Sequence, residues 1–592
     1  MGTGSDAGLH PAFVFFVLGT LLAAWLTFKV SLRRGLQVFS ATLFLSLLWL
    51  ASFGGRALWP VDFFLFSDPF LALLTMLAGR VVVPLLLVSL LFLLLAAVMG
   101  RVFCSHVCPL GALFDLSDRY LGKRLNPKDN REKYRRARPT KYALLLIAAG
   151  AAACGFSWLG LMDPLVMATR FAATVFYPAA LVLGDVALSV LRPLGAAVGW
   201  VELAYLELIL PAFAGALLFS LLLVVLLLLS RMQTRFWCRH LCPLGGLLGL
   251  AGHFAPYRRR VAESCTGCNR CVRECPTGAI HEGGKITDRA ECIVCLRCVK
   301  VCPEKSVRFS FVRRDAALDQ PGPRLRRRGF VAAVAGGAGS AVLSRADLLH
   351  PSKSFLPLPY REGRLIRPPG ALPEPEFLSR CVRCGECLRA CLTNTLQADW
   401  HRAGLEGLWA PHLDLRHAAC EQTCAVCGHV CPTGAIRPLP LVEKQHAKIG
   451  TAVVVRDRCL AWAQDRRCQI CDEQCPYNAI FFRRDAEHHV GLPVVDPSRC
   501  NGCGQCEDKC PVLGESAIVV TPQGELRLSS GSYVAEARRL GLVFAAPGSV
   551  RDEGETYLDH AGDTQGSPPP SPKDPPPTGE KPSLPPGIIP EP

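Results

Sequence analysis

Apolar positions in the first 230 residues are not spaced like the stripe of a surface helix. They run together in blocks at 12–29, 36–53, 81–100, 142–162 and 208–230. A helix that is apolar all round has no face to turn to water, and each block approaches the ~20 residues that cross hydrocarbon, so the pattern predicts about five transmembrane helices. Between the last two blocks, Asp163, Arg170, Asp185, Arg192, Glu202 and Glu207 interrupt residues 163–207, which predicts interfacial helices or a cavity lining. Beyond residue 256 the blocks give way to short strand-like pieces such as 452–455 and 516–520 among Gly and Pro, the pattern of small β-hairpins and turns. The tail 561–592, dominated by Pro, Gly, Ser and charge, cannot bury a core and is expected to be disordered.

Charge orients these blocks. No Lys or Arg precedes the first one, while Lys29, Arg33 and Arg34 lie at or just after its end, so it reads as a helix with its N-terminus outside rather than a signal peptide. Ten Lys or Arg between Arg119 and Lys141, and the run Arg258 to Arg260, mark cytoplasmic segments. The net charge of +16 is therefore a topology signal, and no nucleic-acid partner is expected. Half of the residues are apolar, which excludes a wholly soluble protein. Arg327, Arg328 and Phe330 open a mildly apolar Gly- and Ala-rich stretch to about residue 343, similar to a twin-arginine export signal placed inside the chain; the alternative is a basic anchor before a last helix. Export of a folded unit suits a cysteine-rich segment, because clusters are built in the reducing cytoplasm and bare thiols would oxidise outside it.

The 29 cysteines carry the chemistry. Two C-x2-C-x2-C-x3-C-P runs follow one another at Cys265, Cys268, Cys271, Cys275 and at Cys292, Cys295, Cys298, Cys302. In two-cluster ferredoxins three close thiolates hold one cubane and the fourth, before proline, ligates the other. The expected sets are Cys265, Cys268, Cys271 with Cys302, and Cys292, Cys295, Cys298 with Cys275; zinc is the alternative, but its ribbons use pairs of C-x2-C. Four further runs lie at Cys381, Cys384, Cys387, Cys391; at Cys420, Cys424, Cys427, Cys431; at Cys459, Cys468, Cys471, Cys475; and at Cys500, Cys503, Cys506, Cys510. The irregular openings belong to the inner two, so nested pairing, first with fourth and second with third, is expected, with sequential pairing as the alternative. Six [4Fe-4S] clusters follow. The pattern C-x-H-x-C-P-L-G occurs twice, at Cys104, His106, Cys108 and at Cys238, His240, Cys242, an internal duplication. Its four cysteines are expected to share an additional metal centre; a pair of redox dithiols, or zinc with the histidines, are the alternatives. Cys154, left over, reads as a small buried apolar residue.

The fold class expected is an α-helical polytopic membrane domain plus α+β bacterial-ferredoxin-like [4Fe-4S] domains. Its parts are a membrane domain at 1–256, a cytoplasmic two-cluster unit at 257–312, a signal or sixth span at 313–350, a periplasmic four-cluster unit at 351–545 and a tail at 546–592. On these motifs, about 36–303 resembles the NapH-type membrane quinol dehydrogenase component, and about 324–520 resembles the NapG-type exported ferredoxin, so the chain looks like a natural fusion of the two. The NosR type shares the C-x3-C-P pairs but adds an outer flavin-binding domain not found here. The resemblance implies a multi-pass bacterial inner-membrane protein. It would take electrons from the quinone pool, with quinol as substrate, toward a periplasmic cytochrome or molybdoenzyme reductase such as nitrate reductase. It would act as a quinol dehydrogenase component or an electron carrier. The extra first helix and the internal export signal depart from the pattern. The expected place for quinone chemistry is near Asp163 and Arg170, at the membrane edge. A rival class is a membrane redox sensor or maturation factor. No Rossmann, P-loop or flavin motif points to nicotinamide oxidation.

Overall fold

The computed structural model of the chain describes residues 11–29, 31–50, 62–121, 138–199, 208, 210–281, 283–312, 327–345, 364–400, 402–544 and 557–558. The expected disordered tail, most of the basic stretch between Arg119 and Lys141, and residues 313–326 and 346–363 lie outside the described residues. Helices α1 (Pro11–Lys29) and α2 (Leu32–Leu50) form an antiparallel hairpin. Four later helices start by one local rule. They are α3 (Pro69–Gly79), α5 (Pro109–Tyr120), α7 (Pro164–Phe171) and α10 (Pro243–Gly252), preceded by Asp68, Cys108, Asp163 and Cys242. Proline at the first helical position loses no hydrogen bond and holds the residue before it extended. That residue then turns its side chain onto the free N–H groups: Asp68 accepts from Phe70 and Leu71, Asp163 from Leu165 and Val166, Cys108 from Gly111 and Cys242 from Gly245.

These starts cut the apolar blocks into pieces that hydropathy alone does not separate. Over the expected spans at 81–100, 142–162 and 208–230 lie α4 (Ser89–Met99) behind a 3-10 turn at Pro84–Val88, α6 (Thr140–Ala153) and α9 (Ala216–Leu228), each shorter than anticipated. The stretch expected to form interfacial helices is instead one helical run, Pro164–Ala197. Within it α7 passes through a π turn at Ala172–Phe176 into α8 (Tyr177–Val198). Among the described residues it is the one run of 34 residues that is long and apolar enough to cross a membrane. On this run Arg192 pairs with Asp185, two turns earlier, at 3.0 Å.

The two halves interleave: α3 packs on α10 and α7 on α5, so each Asp-started helix lies against the Cys-started helix of the other half. β1 (Tyr257–Val261) and β2 (Val307–Phe311) then pair antiparallel, closing the first cysteine-rich unit between them. Helix α11 (Arg327–Arg345) lies along α6 with almost no space between backbones. A Cβ at Gly150 would stand 2.6 Å from the carbonyl oxygen of Val334, and one at Gly337 would collide with that of Ile147, so only glycine permits this approach. Among the described residues the second unit has three antiparallel ladders: β3 (Leu396–Ala398) with β4 (Pro411–Leu413), β5 (Thr451–Val454) with β8 (Ile518–Thr521), and β6 (Ile480–Arg483) with β7 (Leu492–Val495). Both cysteine-rich units are thus α+β and ferredoxin-like.

Candidate metal centres

In the first unit each short helix sits between cysteines of one run, Arg270–Arg273 around Cys271 and Arg297–Lys300 around Cys298. One small cavity is lined by Cys265, Cys268, Cys271 and Cys302, with Gly283, Gly284 and Val307. Another is lined by Cys275, Cys292, Cys295 and Cys298, with Ile280, Ile293 and Phe309. Thus each hollow takes three thiols from one run and the proline-flanked fourth from the other.

In the second unit the structure corrects the nested pairing. Cys381, Cys384 and Cys387 all feel the charge of Cys431, while Cys420, Cys424 and Cys427 feel that of Cys391. Cys471 faces Cys459, Cys468 and Cys510, and one cavity is lined by Cys475, Cys500, Cys503 and Cys506. Pairing is therefore sequential, first run with second and third with fourth. The physical reason is exchange of the fourth cysteine between adjacent runs, as in the first unit. The Cys420 N–H donates to the Cys503 carbonyl oxygen at 2.8 Å and joins the two pairs.

Do these sets suit a cubane? Four thiols line a hollow rather than converge, and among the described residues no three His, Cys, Asp or Glu side chains come together tightly enough for one ion. Backbone N–H groups point at the sulfurs: Ala279 at Cys275 and Ala479 at Cys475, both at 3.3 Å, and Ala452 at Cys500 and Ala517 at Cys510, both at 3.4 Å. Such bonds stabilise anionic sulfur. Burial pushes the Cys298 thiol up to about 11 and the Cys471 thiol to about 12, so at neutral pH each keeps its proton until a metal displaces it. The residues fit [4Fe-4S] clusters, which when bound accept and release single electrons.

The duplicated motif also comes together. Cys108 lies near Cys104 and Cys238, and Cys242 near Cys238 and Cys104. Burial raises Cys238 to about 11. His106 and His240 hydrogen-bond elsewhere, His106 to Ser105 and to the Val102 carbonyl oxygen, His240 to Gln233 at 2.7 Å. Sequence reasoning missed two residues here. Arg101 and Arg235 stand three positions before Cys104 and Cys238, so the repeat reads R-x-x-C-x-H-x-C-P-L-G. Both are buried, and each serves the other copy. Arg235 donates to the carbonyl oxygens of Cys104 and Gly111, both at 3.1 Å, and a Cβ at Gly245 would meet Arg101 Nη2 at 2.6 Å. Gly245 is therefore space for Arg101 of the other copy. The repeated spacing was the available signal.

Arg101 also helps to seat the first unit. Arg101 reaches the Ala290 carbonyl oxygen at 3.2 Å and Glu291 at 3.3 Å; Lys141 pairs with Glu291 at 2.5 Å and the Tyr142 hydroxyl approaches it at 3.3 Å. Arg239 donates to the Pro276 carbonyl oxygen at 2.7 Å. On another face the second unit docks through Ser157 to the Leu378 carbonyl oxygen at 3.0 Å and Asn394 to that of Ala212 at 2.7 Å. Arg170 donates to the Arg383 carbonyl oxygen and stacks on Trp409 at 4.9 Å. Asp163, wholly buried, caps α7 and meets the equally buried Asp68. Packing thus uses both residues at which quinone chemistry was expected. Cys242 and Cys384 belong to one continuous buried core.

Family comparisons follow this division. A 4Fe-4S binding domain matches residues 81–128, 212–261 and 425–439, a 4Fe-4S dicluster domain matches 466–513, and the NosR family matches 263–314. The methylamine utilization ferredoxin-type protein MauM of Paracoccus denitrificans is 36% identical over 208 residues, 34% of this chain and 89% of its own length. The chain belongs to the MauM/NapG family of ferredoxin-type proteins. MauM of Methylophilus methylotrophus is 39% identical over 172 residues (28% of this chain, 74% of that protein), and the ferredoxin-type protein NapG of Escherichia coli 38% over 178 (28% and 75%). This MauM/NapG-type chain is accordingly a ferredoxin-type electron-transfer protein with several 4Fe-4S domains, and most of its length lies outside those alignments. No solved structure matches it significantly.

Proposed function

We propose that the chain is a multi-pass membrane iron-sulfur relay. In this reading a NapH-type quinol-oxidising body with a cytoplasmic two-cluster unit is fused to a periplasmic four-cluster unit of NapG type. Electrons pass from quinol through the first unit and a centre held by Cys104, Cys108, Cys238 and Cys242 to the second unit. From there they go to a periplasmic cytochrome or molybdoenzyme reductase. The observation that carries the reading is the continuous buried core shared by Cys242 and Cys384, which leaves no solvent layer between the duplicated motif and the first cysteine set of the second unit. Packing of α11 against α6 supports its retention as a sixth span. The test is anaerobic reduction of the purified chain by a quinol analogue. About 24 irons from six cubanes, bleached at rates matching turnover, are expected. Far slower bleaching would replace the relay by a redox sensor, and about four irons or fewer would refute the cluster load. A reporter after Pro522 should work only in the periplasm.

A further inference from the structure

A cleft of about 1960 Å³ opens between α2, α5, the π turn and the first cysteine-rich unit. Its two ends differ in chemistry. One wall is apolar, with Phe44, Leu45, Phe171, Val175, Phe176 and Leu223. The other end carries Arg33, Gln37 and Asp118, and reaches Cys275 and Cys295, two thiols of a single four-thiol set. Gln37 donates to Asp115 at 2.8 Å, and Asp118 accepts from the Arg235 N–H at 3.1 Å. An isoprenoid tail needs the first end, and a ring with two hydroxyls needs the second. Cys275 and Cys295 line both this end and the four-thiol hollow of the first unit, so a cluster held there would border the cleft directly.

Resting on the relay reading, we propose that this cleft is the quinol site. The tail lies along Phe44, Phe171 and Phe176, the headgroup lies between Gln37 and Asp118, and the cluster of Cys275, Cys292, Cys295 and Cys298 is the first acceptor. A cluster held by Cys275, Cys292, Cys295 and Cys298 would accept the two electrons of quinol one at a time, the first leaving before the second arrives. The two O–H bonds of quinol break, one proton going to Asp118 and the other to water at the charged end, and quinone leaves. Burial holds the Asp118 carboxyl above the usual range, which suits a proton acceptor.

The test separates binding from electron transfer. Binding of a fluorescent hydroxyquinoline N-oxide to the full chain in detergent is followed by quenching. Ala41→Trp with Ala179→Trp fills the cleft wall at positions that are not buried, so folding is retained. It should weaken binding by at least about tenfold, whereas Leu217→Trp, on the exposed face of α9, should not. Asp118→Asn should slow cluster bleaching by quinol more than about tenfold, with dithionite bleaching unchanged. Unchanged N-oxide affinity in the cleft-filled variant, or full-rate bleaching by quinol with the cleft filled, would overturn the site. N-oxide binding lost on filling the cleft, in a chain whose clusters quinol never reduces, would leave the site standing and sink the relay.

Discussion

Glu291 is the residue on which attachment of the first cysteine-rich unit is predicted to depend most. Its side chain is 5% exposed and faces two cations, Lys141 at 0% and Arg101 at 1%. Glu291→Ala would leave both charges buried without a counter-ion, and breaking a buried pair from one side costs about 3–5 kcal/mol. The lost energy should appear as opening of the 288–298 loop, because Arg101 also holds the Ala290 carbonyl oxygen. At 1.4 kcal/mol per decade, amide hydrogen exchange across that loop should accelerate by about two to three and a half orders of magnitude. Adding Lys141→Met should recover part of this, since one stranded charge is then removed. An acceleration below about tenfold would mean that water reaches the carboxylate and that the pair is worth no more than a surface one.

Three other outcomes are expected. Cys431→Ser should make Cys381, Cys384 and Cys387 open to alkylation under anaerobic native conditions while Cys459, Cys468 and Cys471 stay protected; the reverse would restore nested pairing. Burial alone would raise the Asp115 carboxyl, but Arg235, Arg33 and Arg297 bring it down to about 2. Its folded value is thus depressed from 3.8, so it contributes about 2 kcal/mol that is complete above about pH 4 and is lost as pH falls through about 2. Acid unfolding of Asp115→Asn should show a weaker slope between those pH values, and an unchanged slope would remove this assignment. Gly337→Leu should lower the midpoint of unfolding by dodecyl sulfate, as overpacking costs about 1–3 kcal/mol, while Gly336→Leu, with nothing within 4 Å, should not; equal effects would rule out tight α6–α11 contact.

The legible parts of this chain are those set by short-range spacing. A triplet of cysteines followed by C-P fixes which thiols share a hollow in the first unit, because the proline-held turn is local. Pairing among the later runs was misread because irregular x3 and x8 openings describe loops, whereas the partner of Cys391 or Cys431 is chosen by how adjacent runs fold together. Hydropathy found apolar blocks but not the Asp-Pro and Cys-Pro steps that cut them, since a helix start depends on one dipeptide and not on composition. The roles of Arg101 and Arg235 were invisible for a different reason: charged residues beside apolar blocks read as topology signals, and only the tertiary fold shows each crossing to the other copy of the repeat. The quinol cleft joins α2, α5, the π turn and residues near 275 and 295, which no local pattern connects.

Because α11 lies along α6 and belongs to the same chain as the second unit, docking of that unit on the helical body is an intramolecular event. Linkage within one chain supplies an effective concentration on the order of 1 mM. An interface with an intrinsic dissociation constant near ~10 μM would then be closed about 99% of the time, whatever the number of copies in the cell. The few hydrogen bonds from Ser157, Arg170 and Asn394 therefore suffice for attachment, where two separate polypeptides would need a far more extensive interface to stay together.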